Sequence, residues 1–268
     1  MSFKKREKFL EDLYQELNWE KSLYGVRGLI YTENECLTYF NTKYKGYIKR
    51  WEYGYYYLLL LFQNLKLGKS YSIIASLYSE ALNSLRCSFL NNMNGYHPES
   101  ISLLRRVHEC CVKLMAGRAF PQKIWDIVQS PSLQKAESDL GINLKWINNI
   151  EGSYLHSNKL KLIDIGKKWN QISPIEIPYG LQPNDKEFIV SANLSIFWIY
   201  ILTLIAPRLF TEQISGSWLS KYQISCKLFK DYLKESNKPI NKLFQSLIEV
   251  ENILDKIGPE KFDFEKKI

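Results

Sequence analysis

The sequence predicts an all-α protein: a helical bundle with one nearly all-apolar central helix and a long proline-containing loop. Three observations predict it. Apolar residues recur at spacings of three and four along most of the chain, alternation of β-branched residues is sparse, and glycine sits mostly at segment boundaries. A chain of 268 residues, 46% of them hydrophobic, has ample material for a packed core, which excludes disorder as its main state.

From the N-terminus, an amphipathic helix runs through Phe9, Leu10, Leu13, Tyr14 and Leu17, and Tyr24-Gly25-Val26-Arg27-Gly28 breaks it. A second begins near Glu33 and continues through the aromatic and leucine-rich block from Tyr53 to Phe62, which is apolar on every side and therefore expected at the centre. Ser70 is placed to cap a third helix, whose buried stripe is Ile73/Ile74, Leu77/Tyr78, Ala81, Leu85 and Phe89. Asn91-Asn92-Met93-Asn94-Gly95 ends it, and Pro98 and Glu99 then favour the first turn of a fourth. Two helices joined by so short a turn are expected to pack antiparallel.

Pro121 and Pro131 punctuate the next segment, and a helix over 143–159 buries Leu144, Ile147, Ile150, Tyr154 and Leu155. The stretch 167–185, with Pro174, Pro178, Gly180 and Pro183, is expected to be a long ordered loop. Helices then occupy 186–209, 211–234 with a weak point at Gly216, and 239–257. No fixed-period repeat and no Gly/Ser linker divides the chain. The organisation expected is an N-terminal helical appendage (1–32), one bundle domain (33–257) and a charged tail (258–268).

Residues 188–206 carry no charge and approach the length of a bilayer span. Ser191, Asn193 and Ser195 in their first half, with no second such segment, favour a core helix, so no membrane partner is expected. The formal charge of +8 suits anionic partners such as nucleic acid or acidic lipid, although the lysines are scattered and mostly suit solvated faces. An odd count of five cysteines, widely spaced apart from the adjacent Cys110 and Cys111, and a lysine-rich start without a secretory signal point to a reducing cytoplasm. No His/Cys cluster has metal-ligand spacing, so neither metal nor cofactor is expected. Phosphate-binding loops, dinucleotide fingerprints, zinc-protease motifs and nucleophile elbows are absent, which leaves nucleotide hydrolysis and serine hydrolase chemistry unsupported.

The candidate site starts from Ile101-Ser102-Leu103-Leu104-Arg105-Arg106-Val107-His108-Glu109. At 100° per residue, Arg105 lies about 40° and His108 about 20° from Ile101, within the apolar arc, while Arg106 points about 140° away. Glu109 comes one helical turn after Arg105, so a partly buried Arg105–Glu109 pair is expected. Histidines are scarce: His97, beside a proline, suits a turn, and His108 suits a hydrogen-bonded core position. His156 falls on the polar side of its helix, near Lys159. A base, an acid and a guanidinium are what metal-free cleavage of a phosphodiester needs.

Leu103-Leu104-Arg105 with Glu109 on one helix, Tyr154-Leu155-His156 on a later one, then a loop and a long apolar helix, resembles the HEPN-like helical proteins of bacteria, especially those associated with abortive infection. The resemblance covers roughly 53–210. It implies an all-α bundle, frequent homodimerisation and, in active members, metal-independent ribonuclease action in toxin or antiphage systems. On this chain it implies Arg105 holding phosphate, Glu109 orienting Arg105, His156 moving protons, and Arg106 and Lys159 contacting RNA. Active members carry Arg and His on one helix with four to six residues between, and no histidine here has an arginine at that distance upstream. Either Arg105 and His156 assemble across helices, or the fold is kept without the reaction. The competing expectation is a non-catalytic interaction module that binds a protein partner or a second copy of itself, with Arg105–Glu109 a structural pair.

Overall fold

The computed structural model of the chain describes residues 26–63, 72–129, 132–155, 183–210 and 240–256, with single residues at 65, 227 and 231. Nine α-helices and one 3₁₀ turn make up the described residues, with no strand among them. In chain order they are α1 (Val26–Lys43), α2 (Lys45–Gln63), α3 (Ser72–Met93), α4 (His97–Ala119), the 3₁₀ turn Pro121–Lys123, α5 (Ile124–Gln129), α6 (Leu133–Leu140), α7 (Lys145–Leu155), α8 (Asp185–Leu209) and α9 (Ile240–Lys256). The all-α bundle is as the periodicity predicts.

Helix α4 is the hub, packing on α3, α8, α7, α6 and α5. Its antiparallel neighbour α3 buries Ile74, Leu77, Tyr78, Ala81 and Leu85, the stripe expected from spacing. Between them Gly95 takes φ 90°, the left-handed conformation that suits glycine after a helix end. The expected cap Ser70 and the expected elements at 1–25, 156–182 and most of 211–239 lie outside the described residues.

Helix α8 is the apolar element, long and apolar enough to cross a membrane, and 89% of its most apolar window is buried inside the bundle. Its small polar groups have partners there: Trp51 Nε1 donates to Ser195 at 2.6 Å, Tyr47 donates to the Ala192 carbonyl, and Ser191 meets Ser100. Such pairing removes the desolvation cost of burying them. Asn184 caps the start of α8, its side-chain oxygen accepting from the amides of Lys186 and Glu187. Asp185 is gripped there by Lys43, Tyr39 and Tyr44, whose hydrogen bonds, Lys43's foremost, hold its carboxyl below the usual aspartate range.

Four expectations are corrected. Val26 and Gly28, part of the expected break, lie in α1, which buries Thr32, Cys36 and Phe40. One glycine weakens a helix by about 1 kcal/mol, which core packing of the same helix offsets. The second helix divides at Tyr44, although Tyr44 N to Phe40 O and Ile48 N to Tyr44 O keep the ladder close to continuous. Helix α2 is not buried all round. Tyr47, Trp51, Tyr55 and Leu58 face the core, while Tyr53, Tyr56 and Leu60 are 45%, 58% and 48% exposed. Nor is His97 a turn residue: it opens α4, buried, with Nδ1 2.7 Å from Asn92 Oδ1 and its ring edge-on to Phe40.

Candidate functional site

The charged residues of α4 meet those of α6 and α7 in one cluster. His108 is fully buried, with Nδ1 2.8 Å from Glu151 Oε2 of α7 and Nε2 2.8 Å from Glu137 Oε1 of α6. The first contact is a hydrogen bond; the second is a charge contact lying off the N–H direction. A neutral imidazole keeps one nitrogen as an acceptor, and here both face carboxylates, so the geometry calls for the imidazolium. Burial alone would lower His108 below its ordinary 6.5; the carboxylates of Glu151 and Glu137 outweigh it and raise the value above that. Trp198 of α8 stacks on the ring at 4.5 Å and also donates to Glu151 from Nε1 at 3.3 Å.

Arg105 stands at the rim of this cluster, its side chain 19% exposed. Its Nη1 donates to Asn148 and lies 3.4 Å from Glu151 Oε2. Asn148 in turn donates to both oxygens of Glu137 at 2.9 and 2.8 Å. Each charge in the cluster is thereby opposed: Arg105 and His108 against Glu137 and Glu151. Buried ions are tolerated only with such pairing and hydrogen bonding.

The expected Arg105–Glu109 pair is present, with Nε to Oε1 at 3.7 Å, but Glu109 approaches Arg106 more closely, at 3.0 Å. Arg106 is 48% exposed, as its angle predicts, and also pairs with Glu80 of α3 at 2.6 Å. Arg105, Arg106 and Glu109 are thus together, whereas His156 and Lys159 lie outside the described residues.

Glu137, Asn148, Glu151 and Trp198 were not among the residues expected at the site. The wheel that singled out His108 contains the signal for the two acids. Taking 100° per residue, Glu151 falls about 20° from Leu144 and Glu137 about 40° from Leu133, so each acid lies inside its helix's apolar arc. Acidic groups there need buried cations as partners.

Among the described residues, no group of three or more His, Cys, Asp or Glu has an arrangement that could hold a metal ion. A cleft of about 430 Å³, lined by none of the cluster's charged residues, opens between the end of α4, with Ala116 and Phe120, the α5 region, with Lys123 and Asp126, and α6, with Lys135, Ala136 and Asp139. No protein-family model, no curated protein and no solved structure matches this chain.

Proposed function

We propose that this chain is a HEPN-like helical bundle that works by binding, as a non-catalytic interaction module that pairs with a second copy of itself. The observation that carries this reading is the exposed stripe Tyr53, Tyr56 and Leu60 on α2, three large apolar side chains on one helix face. Catalysis is disfavoured by the charge cluster, in which Arg105 and His108 are engaged by carboxylates of their own chain, leaving the cation an RNA-cleaving site needs already paired. Multi-angle light scattering tests the module: a mass of two chains is expected for the wild type and of one chain for Tyr56→Glu/Leu60→Glu. A monomeric wild type contradicts it.

One observation favours a second reading, metal-independent RNA cleavage of the kind found in antiphage or toxin systems. Helix α7 is the element that packs on Arg105, and its last residue, Leu155, immediately precedes His156. Purified wild-type and His156→Ala protein incubated with total RNA in EDTA separates the two. Cleavage by the wild type alone supports the nuclease; intact RNA in both supports the module.

A further inference from the structure

We propose that His108 is a proton-operated latch: as an imidazolium it ties the short helix α6 and the helix α7 to α4, and loss of its proton releases α6. Such a latch lies beyond the binding reading and operates whatever α2 engages.

Its geometry is that of a bridge. One ring meets Glu151 of α7 at Nδ1 through a hydrogen bond and Glu137 of α6 at Nε2 through a charge contact, each at 2.8 Å, with solvent excluded from all three side chains to within 8%. Among the described residues, the other charged or titratable groups near the ring come from α4 itself. Arg105 opposes Glu151, and Cys111, whose thiol burial pushes well above its ordinary value, stays neutral beside it. Helix α8 contributes Trp198, stacked and uncharged. Arg105 and His108 together balance Glu137 and Glu151. Removing the proton of His108 leaves two buried carboxylates against one guanidinium and turns one ring nitrogen into an acceptor facing an acceptor.

Helix α6 is the element least able to absorb that change. It has eight residues, and its ends are closed locally, by Ser132 accepting from the Lys135 amide and by Gly141 at φ 68°. Its buried groups are only Leu133, Ala136 and Glu137. Short elements with few apolar contacts open at lower free energy than the global fold. Ala136, next to Glu137, lines the 430 Å³ cleft, so the latch also fixes one wall of that cleft.

Linkage gives the sign. The ordinary value of 6.5 belongs to the open state and the raised value to the closed one, so the latch is fully held below pH 6.5 and weakens as pH rises towards the raised value. Hydrogen exchange of the wild-type chain, corrected for intrinsic rates, together with NMR of the His108 ring identified through its contact to Trp198, tests this. The expected result is that protection of α6 amides falls about tenfold per pH unit above 6.5 and levels off where the His108 ring titrates, while α3 and α8 show no such slope. In His108→Gln, where no proton can be lost, α6 protection is expected to be low and flat with pH. Protection of α6 that stays constant through the ring's titration overturns the proposal, and so does a ring that shows no titration up to about pH 10, well beyond the ordinary imidazole range.

Discussion

Glu151 receives three donors, from His108, Arg105 and Trp198, with no solvent exposure of its own side chain. A carboxylate so placed depends on its cations, and each cation depends on it. His108→Ala, which leaves Glu137 and Glu151 with the Arg105 guanidinium as their one remaining cation, is expected to cost about 3–5 kcal/mol in urea unfolding, the loss found when one partner of a buried ion pair is removed. Arg105→Lys keeps the charge but gives up the planar guanidinium whose Nη1 meets Asn148 and Glu151 while its Nε faces Glu109, and a loss of about 1–3 kcal/mol is expected from the same measurement. Were Arg105 present only for a bound phosphate, the lysine variant would unfold like the wild type. The stability that His108 contributes is present below pH 6.5 and lost as pH rises through its raised native value, so the wild type is expected to lose stability in that window while His108→Gln does not.

The helices show how local chemistry places this cluster. Helix α8 is fixed at its start by Asn184, and Asn184→Ala is expected to lower thermal stability by about 1 kcal/mol through loss of a cap that serves two amides. Lys43, Tyr39 and Tyr44 clasp Asp185 at the same end, and further along the same helix Trp198 lies over His108. The charge-free run 188–206 marked α8, and periodicity made α3, α4 and α7 legible in the sequence, because each buries an apolar arc whose spacing is set by the helix itself. It failed at α2, where an unbroken apolar run of tyrosines and leucines has no polar face to mark the exposed side. It also failed at α1, because glycine and tyrosine resemble a breaker unless the packing of Cys36 and Phe40 is known.

Across the molecule, the site was half legible. The arc geometry of α4 identified Arg105 and His108 as charge among hydrophobes and set Arg106 apart, and the structure places all three accordingly. The sequence did not disclose that the partners come from α6 and α7. Glu137 and Glu151 are 29 and 43 residues from His108, and only the bundle's topology brings them to one ring. The same topology leaves Tyr53, Tyr56 and Leu60 exposed on α2. Tyr56→Glu/Leu60→Glu is therefore expected to abolish self-association while changing folding stability by no more than about 0.5 kcal/mol, the range usual for surface substitutions.

The buried charges of α4, α6 and α7 form one architectural unit, so their energies must be coupled. A double-mutant cycle on His108→Gln and Glu151→Gln, read by urea unfolding, measures that coupling. A value of about 1–3 kcal/mol between the two positions is expected, as for groups in one hydrogen-bonded network. Effects that add to within about 0.5 kcal/mol would show that the two positions act independently and that no such unit exists.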